Sequence, residues 1–188
     1  MKIKDDVYKI KGDSNIYLIL NPRPTIIDTS DSVDRTYIIS EIRKIIPPDN
    51  IKLVLLTHLH YDHAGNLEIF PNAKFYASTA SIENYKKSSK DFFFYDISKA
   101  NDKILRSKLN TLPREINGLK IIDCPGHTKG SVAFIDQKRK IVFSGDTLFE
   151  NGIGRTDLPN STSQINESVK KLKSYLDKGY TLCPGHDY

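Results

Sequence analysis

The sequence lacks a long apolar run and has few cysteines. No stretch approaches the roughly 20 apolar residues that a helix needs to cross a bilayer, and the start of the chain carries no apolar signal segment. We therefore expect a cytoplasmic protein with no membrane partner. The only cysteines, Cys124 and Cys183, are too few for a disulfide framework. Each precedes a Pro-Gly-His segment, so each is a metal ligand, a nucleophile or, as we favour, a small buried side chain at a strand end.

The basic charge is not accompanied by a nucleic-acid-binding signature. The 188 residues carry a formal net charge of +5, mainly from scattered lysines. Dispersed lysine is typical of a solvated surface, whereas RNA recognition favours basic residues clustered with aromatic ones. We expect no specific nucleic-acid partner. A chain with 38% hydrophobic residues and this length is expected to form one domain over residues 1–188.

Apolar periodicity predicts strands and helices in both halves of the chain. The predicted strands span residues 7–10, 16–20, 25–28, 51–56, 75–77, 119–124, 132–135, 141–144 and 180–183. The predicted helices span residues 33–46, 78–87 and 161–176, and residues 91–103 are expected to be irregular. This order predicts an α/β layered domain in which helices cover two sheets.

One short segment concentrates three of the five histidines. His58, His60 and His63 lie with Asp62 within six residues, directly after the apolar run 51–56. Imidazole nitrogens and carboxylate oxygens bind zinc at about 2.0–2.2 Å, so ligand side chains must converge on a point. A loop that turns after a strand can direct alternate side chains at two such points. The segment therefore predicts metal binding.

Three further segments each place a polar side chain in a glycine-containing turn after a predicted strand. They carry His127 in Cys-Pro-Gly-His-Thr, Asp146 in Ser-Gly-Asp-Thr and His186 in Cys-Pro-Gly-His-Asp. Taken singly, a histidine such as His186 is more often structural, and an aspartate such as Asp146 more often forms an Asx turn. Taken together, the segments contain every remaining histidine, which favours one metal centre.

These segments resemble the motifs of the metallo-β-lactamase superfamily in order and separation, and the resemblance spans nearly the whole chain. It implies an αββα four-layer sandwich, with two mixed sheets flanked by helices and a metal site at one edge. It implies two divalent metal ions, the first bound by His58, His60 and His127, the second by Asp62, His63 and His186, with Asp146 as the bridge. Asp28, at a predicted strand end, matches an aspartate that orients a ligand histidine.

Chemistry supports the bridging role that the resemblance gives to Asp146. Two divalent ions about 3.5–4 Å apart need a shared anion, and Asp146 is the available carboxylate. Water between such ions becomes hydroxide near neutral pH and would attack a carbonyl carbon, with Asp62 and Asp146 in the catalytic centre. Ser131 is then a turn residue and not a nucleophile. Zinc is the expected metal, with iron or manganese as alternatives.

Within the superfamily, the segments 145–149 and 152–157 resemble the glyoxalase II group most. That group hydrolyses thioesters of glutathione, so the resemblance implies a small thioester or thiol-derived substrate. The sequence ends at Tyr188, two residues after His186, and the helical C-terminal region that binds glutathione is therefore expected to be absent. A shorter thioester, another ester or a lactone fits equally well.

Two features are candidates for substrate contact. Arg155 could pair with a substrate carboxylate through its planar guanidinium, or it could be a structural clamp in its turn. The aromatic run 92–95 could form a lid over the cleft, with Phe93 and Tyr95 touching the substrate. The alternative is that two of these rings pack inward and two meet a loop or a second subunit in a homodimer.

The sequence is also compatible with other functions. The turn 154–157 also resembles persulfide dioxygenases of the same superfamily, in which a single iron would use His58, His127 and Asp146. An RNA-processing nuclease shares the His-x-His-x-Asp-His pattern but lacks the Pro-Gly-His-Thr-Lys-Gly-Ser form present here. A non-catalytic binding module is disfavoured because the ligand set is complete.

Overall fold

The computed structural model describes residues 1–93 and 97–188, and within them it forms two mixed β-sheets and five α-helices. The first sheet has the strand order β1 (Lys2–Lys4), β2 (Val7–Ile10), β3 (Ile16–Ile19), β4 (Thr25–Ile27), β5 (Leu53–Leu55), β6 (Lys74–Ala77) and β7 (Leu109–Thr111). The second sheet contains β8 (Glu115–Ile116), β9 (Leu119–Asp123), β10 (Val132–Asp136), β11 (Ile141–Gly145) and β12 (Thr181–Pro184), in that spatial order. The helices are α1 (Arg35–Arg43), α2 (Tyr61–Ala64), α3 (Thr79–Lys87), α4 (Lys99–Ser107) and α5 (Ile165–Leu176).

Three apolar clusters separate four layers. Between the sheets, side chains from both inner faces interlock, and the rings of Tyr17 and Phe143 lie 5.1 Å apart. The outer face of the first sheet packs on α1, α3 and α4, while Leu172 of α5 packs on the outer face of the second sheet. Burial of both faces of each sheet confirms the predicted αββα sandwich.

The carboxyl ends of several strands meet at one edge of the sandwich. Strands β4 and β5 are parallel, with Ile27 opposite Leu55, and β11 is parallel to β12, with Phe143 opposite Cys183. Parallel strands that are covered on both faces have nearly continuous apolar sequences, and the predicted strand 51–56 has such a sequence. Residues that directly follow these strands are therefore brought together.

The prediction that residues 91–103 are irregular is wrong, because α4 begins at Lys99. The Ser98 hydroxyl caps this helix by accepting the Asn101 amide at 3.1 Å. Asn101 is itself buried, and its side chain bridges the Ala64 carbonyl and the Leu67 amide at 2.8 Å each. A buried polar residue within the helix weakens the apolar periodicity from which a helix is predicted.

Helix boundaries also differ from the prediction. Asp31 accepts the Val33 amide at 3.0 Å and caps a 3-10 turn, so α1 begins only at Arg35. The last helix begins at Ile165 and not at residue 161, since the preceding residues bond to the turn that carries His127. Among the described residues, no helix has the length and apolar character of a membrane span.

Candidate metal centre

The strand ends at this edge deliver two groups of ligand-type side chains. The first group is His58, His60 and His127, and the second is Asp62, His63, Asp146 and His186. Within each group the candidate ligand atoms lie within 4.8 Å of one another. The structure thus brings together all seven predicted ligands in the division that the family resemblance implies, with Asp146 grouped with the second set.

The first group consists of buried imidazoles. The carbonyl of Arg155 can only accept a hydrogen bond, so it fixes the proton of His127 on Nδ1 at 2.9 Å and leaves Nε2 with a lone pair. That Nε2 lies 2.9 Å from Nδ1 of His60. Nε2 of His58 is buried and has no hydrogen-bond partner among the described residues. Convergent lone pairs of this kind suit a divalent ion.

The second group mixes histidines with carboxylates. The His186 Nε2 atom lies 3.1 Å from Oδ2 of Asp62 and 3.4 Å from Oδ2 of Asp146. The His63 Nε2 atom lies 3.1 Å from Oδ1 of Asp146. Asp146 also reaches the first group, with its Oδ2 3.6 Å from Nε2 of His127. Its carboxylate therefore lies between the groups, where a bridging ligand is needed.

Asp28 sits behind these ligands and orients two of them. Its Oδ2 accepts the Nδ1 proton of His63 at 2.8 Å, which directs the other ring nitrogen of His63 toward Asp146. The same carboxylate accepts the Thr57 amide and hydroxyl, both at 2.8 Å. Since the Thr57 hydroxyl has only one proton, it must accept from Nδ1 of His58, 3.1 Å away. One buried carboxylate thus fixes a histidine in each group.

Unpartnered polar atoms provide a test of whether the site fits metal ions. Within the described residues, Nε2 of His58, His60 and His63 and Oδ1 of Asp146 are buried without a hydrogen bond of good geometry. Burial of such an atom without a partner costs about 1–3 kcal/mol, so several at one point are not expected unless a ligand satisfies them. The donor set of imidazole and carboxylate fits divalent ions, which are what the superfamily motifs imply.

The two groups differ in charge. Burial lowers the pKa of His58 well below its usual value and that of His60 to about 3, so these imidazoles are neutral. Burial alone would raise the pKa of Asp146, but the adjacent His63 and His186 hold it well below its usual value. Burial opposes protonation of His63, yet the surrounding aspartates, Asp146 first among them, raise its pKa well above its usual value.

Two glycines permit the close approach of these segments. A Cβ at Gly185 would lie 2.1 Å from Oδ1 of Asp146 and 2.8 Å from Cε1 of His63. Gly145 has a φ of +51°, and its Cβ would lie 2.6 Å from the Thr57 side chain. Larger residues at either position would displace a ligand.

Sequence reasoning missed the residues that hold the His186 segment in place. Asn15 and Tyr17 donate side-chain hydrogen bonds to the Pro184 carbonyl at 3.1 and 2.7 Å. The Lys9 ammonium, buried on the inner side of β2, pairs with Asp187. A lysine at an inward position of an apolar strand is the signal that could have found this contact, because buried lysines are almost always paired.

The predicted substrate contacts have different placements. Arg155 lines the cleft beside the ligands, but its side chain is 64% exposed and forms a two-point contact with Asp157 at 2.8 and 2.7 Å. Phe93 packs on Tyr85 in the core under the first sheet, which differs from the lid expected of it. Tyr95 lies outside the described residues. Among the described part of the aromatic run, Phe92 is nearest to the ligands, with its ring 5.8 Å from that of His60.

Both cysteines are buried, as predicted for small side chains at strand ends. Cys124 belongs to the cluster under α5, and Cys183 lies between the sheets. Burial raises the pKa of each thiol to about 12, so neither is a reactive thiolate at neutral pH. Ser131 also occupies a turn as predicted, where its hydroxyl accepts the Thr128 amide at 3.1 Å.

The fold and the two ligand groups define a metal-dependent hydrolase. The chain belongs to the metallo-beta-lactamase superfamily, whose family model matches residues 10–186. The probable metallo-hydrolase M6_Spy0554 of Streptococcus pyogenes serotype M6 is 30% identical over 200 residues, which cover 99% of this chain and 84% of that protein. The hydroxyacylglutathione hydrolase GloC of Haemophilus influenzae is 30% identical over 152 residues, 73% of this chain and 69% of that protein. The crystal structure of TTHA1623 in a di-iron-bound form has a TM-score of 0.74 at 28% identity and covers 93% of this chain and 88% of that one.

Proposed function

We propose that this protein is a binuclear thioester hydrolase of the glyoxalase II kind. The observation that carries the proposal is the pair of adjoining ligand groups with the Asp146 carboxylate between them. The similarity to a hydroxyacylglutathione hydrolase supports a thioester as the substrate. Thioesters suit such a site because thiolate is a good leaving group.

The chain's own residues would hold the metal ions and bind the substrate. Divalent ions, held by the seven ligands, would lower the pKa of water toward ~7 and polarise a carbonyl oxygen. Asp62 lines the cleft with a lowered pKa, since the nearby His63 and His186 outweigh its burial, so its carboxylate is ionised as a metal ligand must be. Phe149 and Ile153 form an apolar part of the cleft wall against which an acyl group can pack.

A mononuclear iron persulfide dioxygenase is the alternative, because His58, His127 and Asp146 converge in the same cluster. We favour the binuclear hydrolase because a single-ion site with those ligands would leave the rest of the second group without a role. His63 in particular has a fully buried Nε2 without a hydrogen bond of good geometry within the described residues. A second ion accounts for that atom.

The test combines metal quantification with substrate assays. Protein purified without chelator is expected to contain up to two divalent ions and to release thiol from S-lactoylglutathione or a shorter thioester. Asp62→Ala is expected to lose one ion and at least about 100-fold of thioester turnover, since an ionic ligand at a catalytic metal contributes several kcal/mol. Asp49→Ala, at an exposed aspartate away from the cleft, is the matched control.

The proposal is overturned either by thioester turnover that is unchanged in Asp62→Ala or by the oxidative activity described next. Unchanged turnover in Asp62→Ala would exclude the mechanism. Oxygen uptake with a glutathione persulfide by protein that holds one iron would favour the dioxygenase. Hydrolysis of lactones but not of thioesters would keep the binuclear centre and change the substrate class.

A further inference from the structure

We infer that the substrate of this hydrolase carries a cationic group, such as an ammonium, on the part that extends away from the reacting carbonyl. The inference takes the reaction itself from the proposed function and adds the charge of the substrate. It rests on a groove that adjoins the metal centre and on the pairing of the lysine and the arginine among the described residues that line the two cavities.

The groove has a volume of about 740 Å³ and opens beside the metal cleft. Asp13 and Tyr61 line both cavities, so the groove continues the cleft. The cleft contains side chains of both ligand groups, among them His60, His127, Asp146 and His186, so a substrate carbonyl that reacts there lies beside the bound ions. Such a substrate can extend between Asp13 and Tyr61 into the groove.

Acidic side chains dominate the charge of the groove. Asp13, Asp31 and Asp34 all line it. The Asp34 carboxylate accepts the backbone amide of Asp13 at 2.7 Å, and Asp31 caps the adjoining turn. The Asp13 carboxylate makes no hydrogen bond or ion pair with any described residue, so it is available to a ligand.

The cations that line the two cavities are already paired. Lys11 in the groove lies 2.9 Å from Oδ2 of Asp187. Arg155 in the cleft is held by Asp157 through two contacts. Among the described lining residues, no other lysine or arginine is present to receive a substrate carboxylate. The walls outside the ligand groups therefore favour a cation and disfavour an anion.

Aromatic rings beside these carboxylates strengthen the preference. Tyr61 and the half-exposed Tyr37 line the same groove as Asp13. Aromatic faces attract ammonium groups, and quaternary ammonium ions in particular, by about 0.5–2 kcal/mol. A carboxylate and two tyrosines in one groove thus match the chemistry that recognises such a group.

The test uses three thioacetates that differ in the charge of the leaving group. They are acetylthiocholine, its neutral isostere S-(3,3-dimethylbutyl) thioacetate and the anionic S-acetyl-3-mercaptopropionate. With metal-loaded protein we expect kcat/KM to be about 10-fold higher for the cation than for its isostere, mainly through KM, and lowest for the anion. Added salt should reduce the difference. Asp13→Asn should lower the ratio of cation to isostere at least about threefold, and Asp49→Asn should not change it.

The outcomes separate this inference from the proposed function. Equal kcat/KM for all three thioacetates, or a preference for the anion, overturns the inference and leaves thioester hydrolysis intact. If none is hydrolysed, the proposed function fails for these substrates. The inference is then decided by NMR titration of the metal-loaded protein with choline and with 3,3-dimethylbutan-1-ol. Tighter binding of choline supports a cation site, and equal binding overturns it.

Discussion

The two ligand groups of the metal centre are built from different chemistry. The first holds neutral imidazoles whose pKa values are lowered by burial, and its His127 is fixed by a backbone carbonyl. The second group contains two carboxylates. Its His186 lies in a segment that the side chains of Asn15 and Tyr17 hold through hydrogen bonds to the Pro184 carbonyl. The contact that orients His127 joins residues 28 apart in the chain, whereas those that hold the His186 segment join residues 169 and 167 apart. Substitutions should affect the two groups unequally.

The largest effect is expected where the groups meet. Asp146→Ala removes the carboxylate that lies against His63 and His127, so both ions should be lost or weakened. We expect thioester hydrolysis to fall by about 10³-fold or more, because several kcal/mol of charge stabilisation disappear. Metal analysis and thiol release check this. Retention of two tightly bound ions would show that Asp146 is not the bridge.

A smaller effect is expected from the carboxylate behind the ligands. Asp28→Asn would place an amide donor against the Nδ1 proton of His63, while the amide oxygen can still accept the Thr57 amide. We expect affinity for the second ion to fall by about 10–100-fold, with a smaller change for the first. Chelator competition measures both affinities.

The control for that prediction is Asp49→Asn, at the exposed aspartate away from the cleft. It should leave both affinities unchanged. If Asp28→Asn lowers the affinities for the two ions equally, Asp28 supports the centre as a whole. The two ligand groups would then not differ in their dependence on Asp28.

The smallest expected effect, that of Lys9→Met, tests most directly whether the two ligand groups respond differently. Lys9→Met leaves Asp187 without its buried partner and should loosen the adjacent His186, so affinity for the second ion should fall less than about 10-fold. Affinity for the first ion should be unchanged. Lys74→Met, at an exposed strand lysine, is the matched control in the same titration. A loss confined to the first ion would contradict the assignment of Lys9 to the second group.

The ligands could be predicted because each lies in a short motif at the end of an apolar strand. His58, His127 and His186 needed only local patterns, and Asp28 was found through the family resemblance. The αββα layers followed from the order of strands and helices together with that resemblance. The roles of the seven residues as metal ligands are predictions that a measurement of metal content tests.

Other features depend on contacts that no local pattern contains. Lys9 meets Asp187 from the opposite end of the chain, and α4 was missed because the buried polar Asn101 interrupts its apolar face. Phe93 was expected in a lid over the cleft because pockets are commonly lined by aromatic rings, yet this ring packs against Tyr85 in the core. Tertiary packing decides such placements.

The position of the centre between the two sheets has a consequence for stability. His58 follows β5 of the first sheet, whereas Asp146 follows β11 of the second, so each bound ion would act as a cross-link between the halves of the sandwich. Free metal at 100 times its Kd adds about 2.7 kcal/mol to the free energy of unfolding. We expect this edge to open first when metal is scarce, so the supply of metal would govern the lifetime of the protein as well as its turnover.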